Sequence, residues 1–471
     1  MINSSQPLLP AYVQRAKSVQ LRIASLFFLG AGFLSIALFY ADVYFPIWFS
    51  VLLASIVVAY FIRRLKAKRI GILMALLLVV YLLPFIHIPP YLWFDFNSSP
   101  LRLWGLAVNP YMLDERIIEL TAMLGTTGAL GMAFGISLVR GRFVRDVGLN
   151  PDGSRRLIPS MSFPIWFFWL FIGIGLSWIS APQETVFTAA YTTSASLHEN
   201  MNFSSAWMMS YVVLTFAFND ALIDRNAIRR VLKWKLALAS IAYVFIFLQL
   251  LRGDRESVPW VFGLALIYFY WAAPFLRRKA AIKVPWLKIG LWVFVLVFGS
   301  MIVGAVRSNL SGSDMSEAID LVSYMFSKGS LGLSNMLHGT WSAVLLTPLS
   351  VAGDHVDNLL RMKWGETYWD IFLSLPPGFI ADVFNYERPL TSTTGLAWEM
   401  RYGLGGTHAS VAPFVNFGML GVFVIPAFCS YIFSRYEKNA IKQISVINLS
   451  LLGTVVMASP HWLWYGEKKW H

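Results

Sequence analysis

Long apolar segments separated by short polar connections run along almost the whole chain. We count eleven segments near the ~20 residues that a helix needs to cross the roughly 30 Å hydrocarbon core of a bilayer. They lie near residues 21–40, 44–62, 70–88, 118–139, 163–182, 205–223, 236–251, 257–276, 288–306, 411–433 and 443–464. A backbone inside a bilayer must satisfy its own hydrogen bonds, so each segment predicts a helix. The pattern predicts an all-α integral membrane protein, a polytopic helix bundle of about 11 to 12 transmembrane helices.

Composition supports this class. A chain of 471 residues with 57% hydrophobic and only 13% charged residues is too apolar for a water-soluble globule. The first segment follows Arg15, Lys17 and Arg22 and has no small-residue cleavage site, so we expect an uncleaved helix. The sequence has no internal repeat and no Gly/Ser linker, which predicts a single polytopic membrane domain over residues 1–471.

Positive charge is concentrated in alternate connections. Most of the 38 Lys and Arg residues lie in the N-terminal segment and in five connections. These connections are residues 63–69, 140–156, 224–235, 277–288 and 435–442. Basic loops stay in the cytoplasm, so the pattern predicts that these connections face inward and the others face outward. The net charge of +13 then reflects topology, and we expect no nucleic-acid partner.

The outward face carries the longer connections, 89–117, 183–204 and 307–410, and we expect function there. The segment 307–410 is predicted to be a large, partly helical periplasmic loop. Residues 313–329 and 331–349 are apolar enough for helices that lie on the membrane surface. Residues 331–349 alternatively re-enter the membrane, with 368–384 as the returning partner.

Some arginines remain on the outward face although most basic residues avoid it. Arg255, Arg307 and Arg401 each lie near a predicted helix end. A single such arginine has an ordinary explanation, since its side chain can snorkel toward lipid headgroups. Several at one depth favour an anion site, because guanidinium groups bind phosphate in a bidentate manner and stay charged. The group predicts a diphosphate-binding site at the membrane surface.

His408 lies between a glycine-rich approach, Gly403, Gly405 and Gly406, and a predicted helix. An unperturbed imidazole pKa near 6.5 suits a general base at neutral pH, and glycines allow a bulky ligand to approach the backbone. The alternative is an interfacial histidine whose ring is hydrogen-bonded by the backbone.

Other residues of this region have simpler interpretations. Gly418 and Gly421 are expected to serve helix packing, and the lone Cys429 is expected to pack inside a crossing.

Motifs for other chemistries are missing from the sequence. There is no Walker loop, HExxH, CxxC pair or DxD, so neither a metal nor a cofactor is expected. A transporter would place polar residues deep inside its helices. The best such residues, Asn219 and Asp220, lie near a predicted cytoplasmic end.

Four features occur in an order that resembles the O-antigen polymerase (Wzy-type, oligosaccharide repeat-unit polymerase) family. GDRES at 253–257 opens a helix, GAVRSN at 304–309 ends another, a large loop follows, and THASVAPFVNFGMLGVF at 407–423 is similar to the terminal Asn-Phe-Gly-x-x-Gly helix. The resemblance covers roughly residues 240–435. It implies a GT-C-like glycosyltransferase of the bacterial inner membrane that acts on undecaprenyl-diphosphate-linked oligosaccharides at the periplasmic face.

The resemblance also implies roles for the candidate residues. Arg255, Arg307 and Arg401 would neutralise the diphosphate leaving group, and His408 would deprotonate the acceptor hydroxyl. Many polymerases carry a Glu four residues before the Asn-Phe-Gly, where this chain has Ala412. The base is therefore His408 or a carboxylate such as Glu399.

Outer-loop aromatic residues would stack on sugars, or would form the aromatic belt of the membrane interface. These residues are Trp364, Tyr368, Trp369 and Trp398. The implied partners are a lipid-linked donor and a lipid-linked acceptor, membrane lipids and a chain-length regulator. Two alternatives stay open: an O-antigen ligase that transfers glycan to lipid A core, and a lipid-linked oligosaccharide flippase or other transporter.

The charge pattern predicts the accessibility of the outer loop. Cysteines introduced at Ser311, Thr391 and Ser410 should react with a membrane-impermeant thiol reagent added from the periplasmic side, because the basic connections hold the flanking segments inside. Labelling of Thr391→Cys only after the inner membrane is disrupted would reverse the predicted orientation.

Overall fold

The computed structural model describes residues 11–67, 69–89, 114–139, 161–179, 340–369 and 407–442, together with single positions between 213 and 241, at 323 and 383–384, and between 447 and 463. These residues form helices and contain no strand. The helices are α1 (Ala11–Tyr40), α2 (Ile47–Lys66), α3 (Ile72–Leu82) continued by a 3₁₀ helix (Leu83–His87), α4 (Glu115–Leu138), α5 (Phe163–Ile179), α6 (Thr340–Val356) and α7 (Val411–Lys442).

Four of these helices are long and apolar enough to cross a membrane. The candidate spans are Arg22–Tyr40, Ile47–Lys66, Glu115–Leu138 and Val411–Ala440. Shorter apolar helices cover Ile72–His87, Phe163–Leu176 and Val344–Val356. The prediction of a helical membrane protein is confirmed for this part of the chain. The predicted segments 205–223, 236–251, 257–276, 288–306 and 443–464 lie outside the continuously described ranges, and the total of 11 to 12 crossings stays a prediction.

Helix α4 is the centre of the described bundle. It packs against α1, α2, α3, α6 and α7, and 89% of its most apolar window is buried. Polar side chains add two links, since Thr127 bonds Ser35 of α1 and the Thr126 hydroxyl donates to the Ser50 carbonyl of α2. A helix that is surrounded on every side needs small residues wherever a neighbour comes closest.

Glycines supply those small residues on α4. A Cβ at Gly131 would collide with the Phe423 carbonyl oxygen of α7, and one at Gly135 would collide with the Ala427 carbonyl oxygen. On the side of α3, Gly128 leaves room for the Tyr81 hydroxyl. The backbones of α4 and α7 therefore touch, and this contact fixes the position of α7.

Charged side chains lie at the two opposite ends of the bundle. At the first, which we name the Asp42 end, Arg116 donates to Asp42 (2.7 Å) at the start of α4, and the Tyr44 hydroxyl also donates to Asp42 (2.6 Å). The Tyr44 hydrogen bond and the nearby Arg116 lower the pKa of the Asp42 carboxyl. This cluster joins the end of α1 to the beginning of α4.

At the opposite end, which we name the Arg64 end, the buried Arg64 side chain donates to the Ile136 and Val139 carbonyls (3.1 Å each). These carbonyls belong to the last turn of α4 and to its C-cap residue Val139, whose own N–H also bonds the Ile136 carbonyl (3.1 Å), so the arginine caps that terminus. The basic connections 63–69 and 435–442 both lie at this end, as the charge pattern predicts for loops on one side of a membrane.

Glu437 of α7 caps another helix at the Arg64 end. Its carboxylate accepts a hydrogen bond from Leu73 N (3.1 Å) in the first turn of α3. Gly71 precedes that turn, and a Cβ there would collide with the Glu437 carboxylate. The glycine therefore lets α7 reach the α3 N-terminus, where Glu437 Oε1 accepts from a backbone N–H that has no partner within its own helix.

Helix α6 belongs to the segment that the sequence offered either as a surface helix or as a re-entrant one. Its residues from Val344 to Gly353 are buried, apart from the half-buried Leu346, and it packs against α4, the 3₁₀ helix and α7. The surface expectation is wrong for these residues, because a helix that is apolar all round is stable only when enclosed. The proposed returning partner, 368–384, lies almost wholly outside the described residues.

The α4–α7 contact predicts a position-specific effect of a single methyl group. Gly131→Ala should lower the free energy of unfolding by about 1–3 kcal/mol, the usual cost of overpacking, because the helices must separate. Thermal unfolding of the purified protein in detergent measures the change. Gly30→Ala in α1 is the matched control, since nothing lies within 4 Å of its added Cβ. Equal stability of the two variants would contradict the backbone contact.

Candidate functional site

Gly418 divides α7 into a short first section, residues 411–417, and a long second section. Its φ of 62° and ψ of −154° are not helical, and side-chain-bearing residues rarely adopt this conformation. A Cβ there would meet Met362 and Tyr40 only at 3.2–3.3 Å. The sequence predicted a packing role for Gly418, whereas the structure uses it as the conformational break in the helix.

Gly421 has the predicted packing role. An added Cβ would collide with the Pro413 carbonyl oxygen, which lies eight residues earlier in the chain. In a straight helix, eight residues span about 12 Å, so this contact requires a sharp bend at Gly418. The two glycines of the Asn-Phe-Gly-x-x-Gly motif thus make one corner, the first by its backbone and the second by its missing side chain.

Asn416 holds a second segment of the chain against this corner. Its Oδ1 accepts from Gly365 N (2.9 Å) and Thr367 N (3.4 Å). Its Nδ2 donates to the Ala412 carbonyl (2.7 Å) and to the Thr367 hydroxyl. The amide uses its acceptor and its donors together, so it is a fully bonded polar group within an apolar helix. Lys363 N adds a backbone bond to the Val415 carbonyl (2.9 Å).

The docked segment, residues 361–369, carries three of the predicted sugar-binding aromatic residues. The Tyr368 ring stacks on Phe417 of the motif at 6.0 Å, with an angle of 7° between the planes. Trp364 and Trp369 are 79% and 65% exposed. Trp364 has a positive φ of 49°, which is unusual for a bulky residue and is maintained by the Asn416 bonds around it. The fourth aromatic residue, Trp398, lies outside the described residues.

His408 is fully buried three residues before α7. Its Nδ1 accepts from Ser410 N (3.1 Å) and lies 2.8 Å from the Ser410 hydroxyl, while Nε2 lies 2.9 Å from the Tyr81 carbonyl oxygen. A backbone N–H at Nδ1 and a carbonyl at Nε2 assign the proton to Nε2 in the neutral ring. The rings of Tyr81 and Phe85 meet the imidazole edge to face at 4.7 and 4.8 Å.

This environment matches the structural alternative that the sequence left open, a histidine hydrogen-bonded by the backbone. Burial lowers the pKa of His408 to about 4, and the Tyr81 carbonyl opposes this shift only in part. The ring is therefore neutral at pH 7, as a base must be, but it binds a proton weakly. The buried Ser410 also changes the labelling expectation, because a cysteine at position 410 would be shielded from an impermeant reagent.

A cavity of about 170 Å³ adjoins His408. His408, Thr407 and Tyr368 line it together with α3, α4 and α7, and Ala412 lies in the same wall. Two residues that the sequence predicted for one site, His408 and Tyr368, therefore line the same cavity although 39 residues separate them in the chain. Ala412, at the position where the polymerase family often carries a glutamate, lines this cavity. The lining includes no charged side chain.

Several predicted site residues lie outside the described residues. These are Arg255, Arg307, Arg401, Glu399 and Trp398. Within the described residues, no group of three His, Cys, Asp or Glu side chains is arranged to hold a metal ion.

Asp220, which the sequence singled out for a possible transport role, is buried and paired with Lys235 (3.3 Å). Its other carboxylate oxygen accepts from Met161 N (2.9 Å), and Lys235 donates to the Met161 carbonyl (2.9 Å). The ion pair thus binds both backbone groups of a residue just before α5.

Comparison with known proteins adds no relative: no protein-family model matches the chain, and neither a curated protein nor a solved structure is similar to it. The family resemblance rests on the motifs themselves. The Asn-Phe-Gly motif is visible in the sequence, but sequence reasoning assigned no role to Asn416. A side-chain amide in an apolar segment was the available signal, since such residues are rarely left without a partner.

The Asn416 bonds predict local loosening when the amide is replaced. Asn416→Asp keeps the acceptor but loses both donors and opposes the Ala412 carbonyl with a second oxygen, so the 361–369 segment should detach. Hydrogen–deuterium exchange at residues 363–369 should rise several-fold, since lost hydrogen bonds cost about 0.5–1.5 kcal/mol each. Asn439→Asp, the same change at an exposed position of α7, is the control. Unchanged exchange in Asn416→Asp would exclude this attachment.

Proposed function

We propose that the chain is a membrane glycosyltransferase that polymerises undecaprenyl-diphosphate-linked oligosaccharide repeat units. One observation carries the proposal. The two described segments in which the sequence predicted site residues, 361–369 and 407–418, are joined through Asn416, and His408 and Tyr368 line one cavity. Trp364 and Trp369, in the same segment as Tyr368, are exposed and suited to stacking on sugar rings, as the motif resemblance implies.

The charge distribution supports a periplasmic site. His408, the 361–369 segment and the first section of α7 lie at the Asp42 end, because Phe39 of α1 contacts Phe414 and the ring of His355. The described basic connections, 63–69 and 435–442, lie at the other end. By the positive-inside rule the Arg64 end is cytoplasmic, and the Asp42 end then faces the periplasm of a bacterial inner membrane.

The proposed reaction joins two lipid-linked chains. A hydroxyl oxygen of the acceptor forms a bond to the anomeric carbon of the donor chain, the bond from that carbon to the diphosphate breaks, and undecaprenyl diphosphate leaves with the electron pair. Arg255, Arg307 and Arg401 would stabilise the charge on the leaving diphosphate, as fixed cations do at transition states. The hydroxyl proton passes to the base, His408 or Glu399.

His408 accepts this proton only after a local change. The lone pair is on Nδ1, which faces the Ser410 N–H and hydroxyl. An acceptor sugar at the cavity would have to replace the Ser410 hydroxyl as the partner of Nδ1. Because the buried ring is a weak base, proton transfer to it is favourable only if substrate binding brings polar groups or water to the imidazole and raises its pKa.

His408→Gln separates catalysis from packing. The glutamine amide can still donate to the Tyr81 carbonyl, but it is not a base. If His408 is the base, polymerisation of a purified lipid-linked repeat unit should fall by about 10²–10⁴ in rate, the usual loss for a general base, while thermal stability stays near the wild-type value. The measurement is the length of the lipid-linked product, which is extracted from the reaction and resolved on a gel.

Arginine-to-lysine variants are the companion test. Arg255→Lys, Arg307→Lys and Arg401→Lys keep the charge but lose the planar fork, so diphosphate ligands should lose activity and snorkelling residues should not. Normal polymer from His408→Gln would move the base to Glu399. Product transferred away from undecaprenyl diphosphate, or substrate moved without elongation, would replace the polymerase proposal by the ligase or the transporter.

A further inference from the structure

The cavity beside His408 extends well beyond the residues proposed for chemistry. Its walls away from His408 are Met74 and Leu77 of α3, Met132 of α4, and Ile425, Pro426, Cys429, Ser430 and Phe433 of α7. All of these lie within helices that are apolar enough to contact or cross a bilayer. The extended part of the cavity is therefore an apolar space inside the membrane-spanning bundle.

One wall of this cavity borders the lipid-facing surface of α7. The wall residues Ile425, Pro426, Cys429 and Phe433 are half-buried. They alternate along the helix with the exposed side chains of Val424 (48%), Phe428 (63%) and Ile432 (43%). Apolar side chains this exposed on a membrane-spanning helix contact lipid, so the cavity lies directly beside hydrocarbon.

Most polar groups at the wall have partners in the protein. The Ser430 hydroxyl bonds the Met132 and Ala427 carbonyls (3.1 Å each), and both ring nitrogens of His408 are engaged. The Tyr81 hydroxyl lies against Gly128, is buried and makes no hydrogen bond among the described residues. No lining residue is charged. In the part of the cavity away from His408, a polar ligand would lose its hydration and find almost no hydrogen-bonding partner, and each group left without one costs roughly 2–7 kcal/mol. The apolar, uncharged wall therefore favours binding of a hydrocarbon chain.

Size limits the occupant to a short piece. The volume of about 170 Å³ is close to that of an engineered cavity of ~150 Å³ in another protein that binds benzene, so it holds about six carbon atoms. That is the end of a lipid chain, with the rest of the lipid outside the protein.

We propose that this cavity binds the terminal segment of an acyl chain of a bilayer phospholipid, which enters beside Cys429. Phospholipid is the lipid that surrounds α7 in excess, and the wall has no cation to position a lipid whose headgroup is a diphosphate. The bound chain end fills the space between α3, α4 and α7 and thereby supports the wall that carries His408. The inference does not depend on which reaction the protein catalyses.

Photo-crosslinking tests this site directly. The full chain is reconstituted in nanodiscs with phosphatidylethanolamine that carries a diazirine at the end of one acyl chain, and adducts are located by mass spectrometry. Adducts are expected on the α3 and α4 wall, at Met74, Leu77 or Met132, and their yield should saturate as the probe fraction rises. Adducts at the exposed Phe428 should rise in proportion to the probe.

Filling the cavity supplies the matched comparison. Ala412→Leu and Cys429→Leu add carbon atoms inside the cavity and should each reduce the wall adducts several-fold. Ala37→Leu makes the first of these changes at an exposed position of α1 and should leave them unchanged. Circular dichroism and size-exclusion chromatography show which variants are folded, and two filling variants keep the test available if one does not fold.

Two results would overturn the proposal. The first is labelling confined to Phe428 and other exposed residues, with no effect of either filling variant. The second is labelling of the wall by a chain-end diazirine on an isoprenoid phosphate but not by the phospholipid probe, which would assign the cavity to an isoprenoid carrier. A failed polymerisation assay leaves both readouts unaffected, so the two proposals fail separately.

Discussion

The contact between the backbones of α4 and α7 is the constraint on which the described structure depends. Lipid tails are as apolar as the side chains of the bundle, so helices in a bilayer gain little from hiding apolar surface and associate where they fit closely. Gly131 and Gly135 allow this fit, because the Phe423 and Ala427 carbonyls occupy the space that a side chain would need. Gly125 and Gly128 do the same for the Phe85 and Tyr81 side chains of the α3 region. His408 is enclosed because both neighbours are held against α4.

The corner at Gly418 is the second determinant of the site. A continuous helix from Val411 could not bring the Pro413 carbonyl against Gly421, whereas the break turns the first section back, and in this arrangement Asn416 bonds residues 365 and 367. The amide then satisfies backbone groups of a segment that has no regular structure before Glu366. One side chain thus determines where Trp364, Tyr368 and Trp369 lie relative to His408. The motif is explained by geometry before any chemistry is assigned to it.

Buried charged side chains in the described residues bond backbone groups. Arg64 caps α4, Glu437 caps α3, and the Asp220–Lys235 pair binds Met161 before α5. Polar side chains and helix ends that are taken out of water need hydrogen-bond partners. Here the buried side chains bond the backbone groups at or next to the helix ends. Intramembrane charge is a frequent sign of a transport pathway. These charges are instead accounted for as fixed parts of the scaffold, which agrees with a site at one end of the bundle.

The sequence by itself determined the helical membrane class, the positions of α1 to α5 and α7, and the grouping of the two described basic connections, 63–69 and 435–442, at one end. These properties follow from local hydrophobicity and charge, because insertion and orientation in a bilayer depend on the composition of each segment and its flanking loops. It also identified His408 and the 364–369 aromatic residues, but with two interpretations of each. Only the tertiary structure decided that His408 is buried with both nitrogens bonded, that Gly418 breaks a helix and that α6 is enclosed. Each depends on groups far apart in the chain, such as Tyr81 with His408 and Asn416 with Gly365, and hydrophobic periodicity carries no information about such pairs.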